Sequence, residues 1–310
     1  MAVLICGSLA YDYLMLFEDH FKNHIIPDKV HMLNVSFLVP ELRRDFGGCA
    51  GNISYNLKLL GGEPLPVAAV GKDFGPYRDR LESLGISRRF VRQLDDLYTP
   101  QAFITTDMDD NQITAFHPGA MMRSQDITID SAEGIDLAIV APDGRDAMLQ
   151  RVREFTDLGI PFIFDPGQAL PLFNGEELKR FIEQADYLAV NDYESELIKK
   201  QTGFDDAEIT RHVEAFIVTR GGEGSRIHTE DGTIDIPTAK PARLSNPTGC
   251  GDAYRAGLLY GLTNGLDWET TGRIASLMGA IKIEHDAPQG HRIDLDSFRN
   301  RYRKEFGSAF

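Results

Sequence analysis

Short apolar runs separated by helix-length amphipathic stretches recur along this chain, and that alternation limits its fold more than any other feature. The runs fall at 3–6, 67–70, 137–141, 162–164, 187–190 and 216–219. Between them Ile53, Leu57 and Leu60 repeat at helical spacing and stop at Gly61-Gly62, and 78–84 reads as a helix closed by Gly85. Strands that are apolar throughout, rather than alternately, must be covered on both faces. The pattern therefore predicts an α/β fold with a mostly parallel central sheet flanked by helices on both faces. Ligands of such sheets gather beyond the carboxyl ends of the strands.

Two stretches break the rhythm, 11–39 and 99–117. In the second, Ala102-Phe103-Ile104-Thr105 and Gln112-Ile113-Thr114-Ala115-Phe116 alternate on either side of the turn-rich 107–111 and read as a β-hairpin. Together the two stretches are expected to form a small β-sheet lid attached to a single domain spanning 1–310. A further hairpin, 225–229 to 233–236, turns at Asp231-Gly232. The 310 residues show no internal repeat, low-complexity tract or long linker.

Charge narrows the partners. A net charge of -15 repels phosphate backbones, which argues against nucleic acid and anionic membranes as partners. Local loop amides and a divalent cation can still override that field for a nucleotide. Cys6, Cys49 and Cys250 are too few and too scattered for a disulfide framework or a zinc site. Without a signal-peptide pattern or an apolar run of membrane-spanning length, the expectation is a soluble, unprocessed, cytoplasmic protein, monomeric or homodimeric.

The most informative segment is Asn246-Pro247-Thr248-Gly249-Cys250-Gly251-Asp252-Ala253-Tyr254, which leads into a helical pattern over 253–262. Glycines at a helix N-terminus let backbone amides turn inward, where the helix dipole also favours an anion. Asp252 then stands in the first turn, beside that anion hole, where it can accept a proton from an attacking hydroxyl. The same residues also suit a plain glycine turn with an acidic first turn. Other segments carry similar double readings: Phe46-Gly47-Gly48-Cys49-Ala50-Gly51-Asn52 ahead of a helix, Asp12 after the first strand, Asn191-Asp192-Tyr193-Glu194 after the strand at 187–190, and Thr219-Arg220-Gly221-Gly222-Glu223-Gly224 after the strand at 216–219. No Gly-x4-Gly-Lys-[Ser/Thr] is present, and Gly249-Cys250-Gly251 lacks a third glycine at Tyr254, so neither the Walker nor the dinucleotide fingerprint applies. None of the eight histidines forms a His-x3-His or Cys/His cluster, so no transition-metal site is expected.

Taken together and in this order, these segments resemble the ribokinase-like (PfkB) carbohydrate kinases over nearly the whole chain. The segment at 246–254 is similar to the family's C-terminal signature, with Cys250 in place of the usual alanine and Tyr254 in place of phenylalanine. The resemblance implies that Asp252 is the catalytic base and that the amides of Gly249, Cys250 and Gly251 form the anion hole. It implies that Gly47, Gly48 and Asn52 receive a sugar, and that Asp12 grips two of its hydroxyls. It further implies that Asn191 and Glu194 order Mg²⁺ through water beside ATP, and that Thr219, Gly221, Gly222 and Gly224 line the nucleotide. A monovalent cation, often K⁺, would be bound by carbonyls near Asn246, Thr248 and the 284–289 loop.

The hairpin end Thr114–Met121 and the tail, Gly279–His285 with Gln289-Gly290-His291, resemble the adenosine and nucleoside kinases of the family more than its ribokinases. Phe103, Phe116 and Tyr13 could then face a nucleobase, or simply pack the lid. The expected reaction is transfer of the γ-phosphate of ATP to the 5′-hydroxyl of a nucleoside such as adenosine. The alternatives are a ribose- or fructose-type sugar kinase and an inactive nucleotide-binding sensor. No lid arginine occurs between Gln101 and His117, so either a Lys or Mg²⁺ is expected to neutralise the transferring phosphate or the rate is modest.

Overall fold

The computed structural model describes residues 2–25, 32 and 34–310. Among these, nine strands form the central sheet: β1 (Ala2–Cys6), β4 (Glu63–Gly71), β5 (Phe90–Leu94), β8 (Ile135–Val140), β9 (Phe162–Phe164), β10 (Tyr187–Asn191), β11 (Ala215–Thr219), β12 (Ser225–Thr229) and β13 (Gly232–Ile236). A second sheet holds β2 (Ala10–Leu16), β3 (Glu41–Gly47), β6 (Gln101–Thr106) and β7 (Gln112–His117). The helices are α1 (Phe21–His24), α2 (Cys49–Leu59), α3 (Gly75–Ser83), α4 (Arg145–Leu158), α5 (Gly175–Gln184), α6 (Asp192–Thr202), α7 (Asp206–His212), α8 (Cys250–Thr263), α9 (Trp268–Ile283) and α10 (Leu295–Phe306). None is long and apolar enough to cross a membrane.

The central sheet runs β13-β12-β11-β10-β9-β8-β1-β4-β5 and is parallel except where β12 and β13 return as the expected hairpin. Side chains alternate across a strand. Leu4 and Cys6 of β1 thus join Met148, Phe155, Phe181 and Ile198 of α4–α6 on one face. Val3 and Ile5 join Ile53, Leu258, Leu277 and Phe298 of α2, α8, α9 and α10 on the other. This is why the strands read as unbroken apolar runs: both faces are buried.

The second sheet runs β3-β2-β6-β7. It includes β3, a strand outside the expected stretches 11–39 and 99–117. Its first residues, Glu41-Leu42-Arg43-Arg44, are all exposed, so no alternation of apolar residues marks it in the sequence. Much of the 11–39 stretch is not strand, and 26–31 and 33 lie outside the described residues. Register sorts the side chains of this sheet by face. Asp12 pairs with Asp45 and Ala102, Leu14 with Arg43 and Ile104, and Ala102 with Phe116. These residues share one face. Tyr13 pairs with Arg44 and Phe103, on the opposite face.

Candidate active site

The site assembles where β1, α2 and α8 converge. After β1 the chain turns at Ser8, whose carbonyl accepts from Ala50 N (3.0 Å) and Gly51 N (3.3 Å) and whose hydroxyl accepts from Cys49 N (3.2 Å). One loop residue thereby serves the orphan amides that open α2. Gly48 must be glycine: its φ is +83°, and a Cβ there would lie 2.5 Å from Ser8 O. Gly47 is a close approach, since a Cβ on it would come within 2.2 Å of Asp12 Oδ2. Gly47 thus lets the Asp12 carboxylate lie close against the backbone, while Gly48 makes room for the Ser8 turn. Burial and the neighbouring Asp45 carboxylate push the pKa of Asp12 up to about 6.

α2 and α8 pack side by side, and Asn52 Nδ2 donates to Asp252 Oδ2 at 2.8 Å. Behind it, Gln289 Nε2 donates to Asn52 Oδ1 (3.2 Å) and Tyr77 OH (2.8 Å), and Tyr77 OH donates to Gly47 O (2.9 Å). Asp252, Asn52, Gln289, Tyr77 and Gly47 therefore form one buried chain of hydrogen bonds, drawn from four separate parts of the sequence. Asn52 retains one N–H and one lone pair for another partner. Burial pushes the pKa of Asp252 up to about 7, with the nearby Asp165 and Asp12 adding to the effect and the Asn52 bond and Arg255 opposing it.

At the mouth of α8, Gly249 takes φ +83°, and the first intrahelical bond runs from Ala253 N to Gly249 O. Of the three expected anion-hole amides, Cys250 N is already committed to Pro247 O (3.1 Å). Gly249, Gly251 and, unexpectedly, Asp252 keep amides without an acceptor among the described residues. Tyr254 is buried in α8, with its hydroxyl 2.6 Å from Ser225 Oγ. That explains how tyrosine is tolerated there.

A cavity of about 420 Å³ opens beside this turn, lined by Gly251, Asp252, Asn191, Glu194, Thr219 and Gly221 among others. Its floor holds a pair the sequence did not single out. Arg255 donates to both oxygens of Asp165 (3.1 and 3.0 Å) and to Ala189 O (3.2 Å), with both side chains buried. Asn191 and Glu194 form a capping box at the start of α6: Asn191 Oδ1 accepts from Glu194 N, and Glu194 Oε2 accepts from Asn191 N, each at 2.8 Å. The second Glu194 oxygen is not used in the box, and burial raises the pKa of this carboxyl. Asp165, Glu194 and Asp252 outnumber the single Arg255 in this cavity, an acid excess that suits a divalent cation.

Two nucleotide-loop residues fall elsewhere. Thr219 and Gly221 line the cavity, but Gly222 and Gly224 do not. Gly222 O accepts from Thr238 Oγ1 (2.9 Å), and a Cβ on Gly224 would meet Ile236 O at 2.1 Å. Both fit the turn onto the end of β13.

Phe103 also departs from expectation. It stacks on Tyr13 at 5.0 Å on the face opposite Asp12, so only Phe116 shares the Asp12 face. The hairpin holds no arginine, but β3 of the same sheet carries Arg43. Arg43 lies on the Asp12 face, donates to Asp45 (2.9 Å), and its charge is felt at Lys282 and Asp286 near the anion-hole loop. At Asn246 and Thr248, expected to hold a monovalent cation, Asn246 O accepts from Lys282 Nζ (2.6 Å) and Asn246 Oδ1 from Thr248 N (2.8 Å).

With this geometry in hand, comparison with known proteins is specific. The model of the pfkB family of carbohydrate kinases matches residues 16–292. A nucleoside kinase of Methanocaldococcus jannaschii is 32% identical over 300 residues, covering 96% of this chain and 95% of that protein. A structure of Burkholderia thailandensis nucleoside kinase in complex with inosine superposes with a TM-score of 0.91 at 52% identity, covering 99% of both chains. The same enzyme in complex with ADP-inosine gives a TM-score of 0.88 at 54% identity, covering 99% of this chain and 97% of the other.

Proposed function

Since the chain belongs to the pfkB family of carbohydrate kinases, we propose that it transfers the γ-phosphate of ATP to the 5′-hydroxyl of a purine nucleoside, with inosine and adenosine as its acceptors. Family membership makes it an ATP-dependent kinase; the acceptor is the proposal. One observation carries it. Among the described residues the only ionisable group hydrogen-bonded to Asn52 is Asp252, a carboxyl whose pKa burial raises to about 7, and both stand beside the Asp12 face of the second sheet.

The residues divide the work. Asp12 accepts hydrogen bonds from two ribose hydroxyls over the Gly47-Gly48 backbone, and the spare N–H and lone pair of Asn52 reach a third polar group of the sugar. Leu14, Ile104 and Phe116, on the same face, offer an apolar platform to the base. The second sheet closes over the cleft as a lid and keeps out water, which would otherwise compete as acceptor. Asp252 takes the 5′-hydroxyl proton as the oxygen attacks, with Asn52 holding its carboxylate in place. The free amides of Gly249, Gly251 and Asp252 meet the charge that builds on the phosphoryl oxygens, and Arg43 approaches from the lid. Thr219 and Gly221 bound the nucleotide side of the cavity. Glu194 and Asn191 would hold Mg²⁺ through water, and the ion would supply charge neutralisation to the phosphates.

The similarity to a nucleoside kinase crystallised with inosine supports the acceptor. So do the apolar Leu14, Ile104 and Phe116 on the Asp12 face, which a free sugar does not need. The test is a panel of kcat/KM values with MgATP for inosine, adenosine, cytidine, ribose and fructose. Preference for ribose or fructose over every nucleoside would remove the acceptor assignment and leave a sugar kinase.

A further inference from the structure

Kinases of the kind this chain resembles are expected to hold a monovalent cation on loop carbonyls beside the anion hole. The carbonyls here already have a cation. Lys282 lies in the last turn of α9 and is fully buried. Its Nζ donates to Asn246 O at 2.6 Å and to His285 O at 3.1 Å. These belong to the two segments from which the K⁺ ligands were expected, the run before the Gly249 turn and the 284–289 loop. A K⁺ ion drawing on Asn246 O would stand within a few ångströms of the ammonium, and like charges that close repel strongly away from water. The residues present do not fit a bound K⁺.

The surroundings are built for the lysine. Ser245 N donates to Ile283 O (2.8 Å) and Arg243 Nε to Glu284 O (2.6 Å). Ala242 N donates to Glu284 Oε1 (2.6 Å), and Ser245 Oγ to Asp286. The 242–246 segment is thus tied along the end of α9, with Lys282 as the last and most buried tie. Directly after Asn246, Pro247 O receives Cys250 N and sets the turn that frees the Gly251 and Asp252 amides. Burial lowers the pKa of Lys282 and so opposes its charge, as does Arg43, while Cys250, Asp286 and Asp45 favour the ammonium, which the two carbonyls hold by hydrogen bonds. A lysine carries a compact ammonium with three donors, suited to carbonyls that would otherwise coordinate an ion.

We infer that Lys282 is this protein's built-in monovalent cation: its ammonium holds the Asn246 and His285 carbonyls and shapes the anion hole, so the enzyme works without K⁺. Lys282 is a positioning residue, acting on phosphate only through the Asn246–Gly249 loop. The inference rests on the phosphotransfer reading above.

The experiment measures kcat/KM for inosine and the melting temperature of the full-length protein as KCl replaces choline chloride at constant ionic strength. For the wild type both should be flat, with kcat/KM changing less than about twofold, because no site changes occupancy between the salts. Lys282→Ala should lose roughly 10²–10³ in kcat through a disordered anion hole. K⁺ or NH₄⁺, but not choline, should restore at least about tenfold of that and raise the variant's melting temperature, because the vacated carbonyls now bind an ion. A saturable K⁺ activation of the wild type by about tenfold or more, or a K⁺-specific rise in its melting temperature, overturns the inference. A folded Lys282→Ala that no small cation rescues does so as well. Should that variant not fold, the wild-type salt titration decides alone. If no nucleoside is phosphorylated in any salt, the acceptor assignment fails, while the melting-temperature comparison still decides the cation.

Discussion

Replacing Asn52 with Ala tests whether the buried chain of hydrogen bonds tunes the base. In the wild type, Asn52 Nδ2 donates to Asp252 at 2.8 Å and so favours the ionised carboxylate, against burial and the nearby Asp165 and Asp12 charges. A hydrogen bond to a charged group is worth about 1.5–3 kcal/mol. At about 1.4 kcal/mol per pKa unit, losing it raises the Asp252 pKa by about one to two units. The base acts only when ionised, so activity climbs as pH rises through that pKa. The acid limb of kcat/KM should therefore stand near pH 7 in the wild type, following the pKa of about 7, and move to higher pH in Asn52→Ala. The acceptor KM should rise too, through the lost ribose contact, but that change is independent of pH. The assay is a pH–rate profile at saturating MgATP with inosine varied. An acid limb unmoved in Asn52→Ala, with only KM changed, would refute the coupling and leave Asn52 as a sugar contact alone.

Other outcomes follow from the same geometry. Asp252→Asn should lower kcat by roughly 10²–10⁴ with little change in ATP affinity. Because burial raises the pKa of Asp252 from 3.8 to about 7 in the folded state, the wild type loses stability as pH rises between those values and carries the full loss above them, so the Asn variant should melt higher than wild type at alkaline pH; equal melting temperatures there would contradict the burial argument. Phe116→Ala should cost nucleosides about 1–3 kcal/mol of base stacking and leave residual ribose turnover unchanged. Phe103→Ala should lower stability through its lost stack on Tyr13 without favouring either acceptor class, and a nucleoside-selective loss in that variant would put the platform on the other face. Gly47→Ala sets a methyl 2.2 Å from Asp12 Oδ2, so the acceptor KM should rise sharply while ATP KM holds; unchanged acceptor kinetics would show that Asp12 does not need its seat on the backbone.

The strand–helix alternation made the central sheet legible, because strands buried on both faces have to be apolar along their whole length. The anion-hole turn was legible for a similar reason: a helix start at Gly249 with φ +83° needs glycine whatever surrounds it. Asn52 and Asp252 were legible as residues, but not the bond between them, which joins positions 200 apart in the chain. β3 was not legible, since its exposed Glu41-Leu42-Arg43-Arg44 carries no apolar period, and with it went the place of Arg43 in the second sheet.

What the sequence by itself determined was therefore local: which residues can turn, cap, accept a proton or line a sheet. Tertiary structure decided which of them meet. Phe103 and Phe116 look alike as hairpin aromatics, yet pairing register sends them to opposite faces, because side chains alternate and a shift of one residue reverses the face. Gln289 and Lys282 lie in tail segments that the sequence marked only by resemblance, with no role for either side chain. One became part of the hydrogen-bond chain behind Asp252 and the other the cation at Asn246, because packing α8 against α9 and the tail brought buried polar groups together that had to satisfy one another.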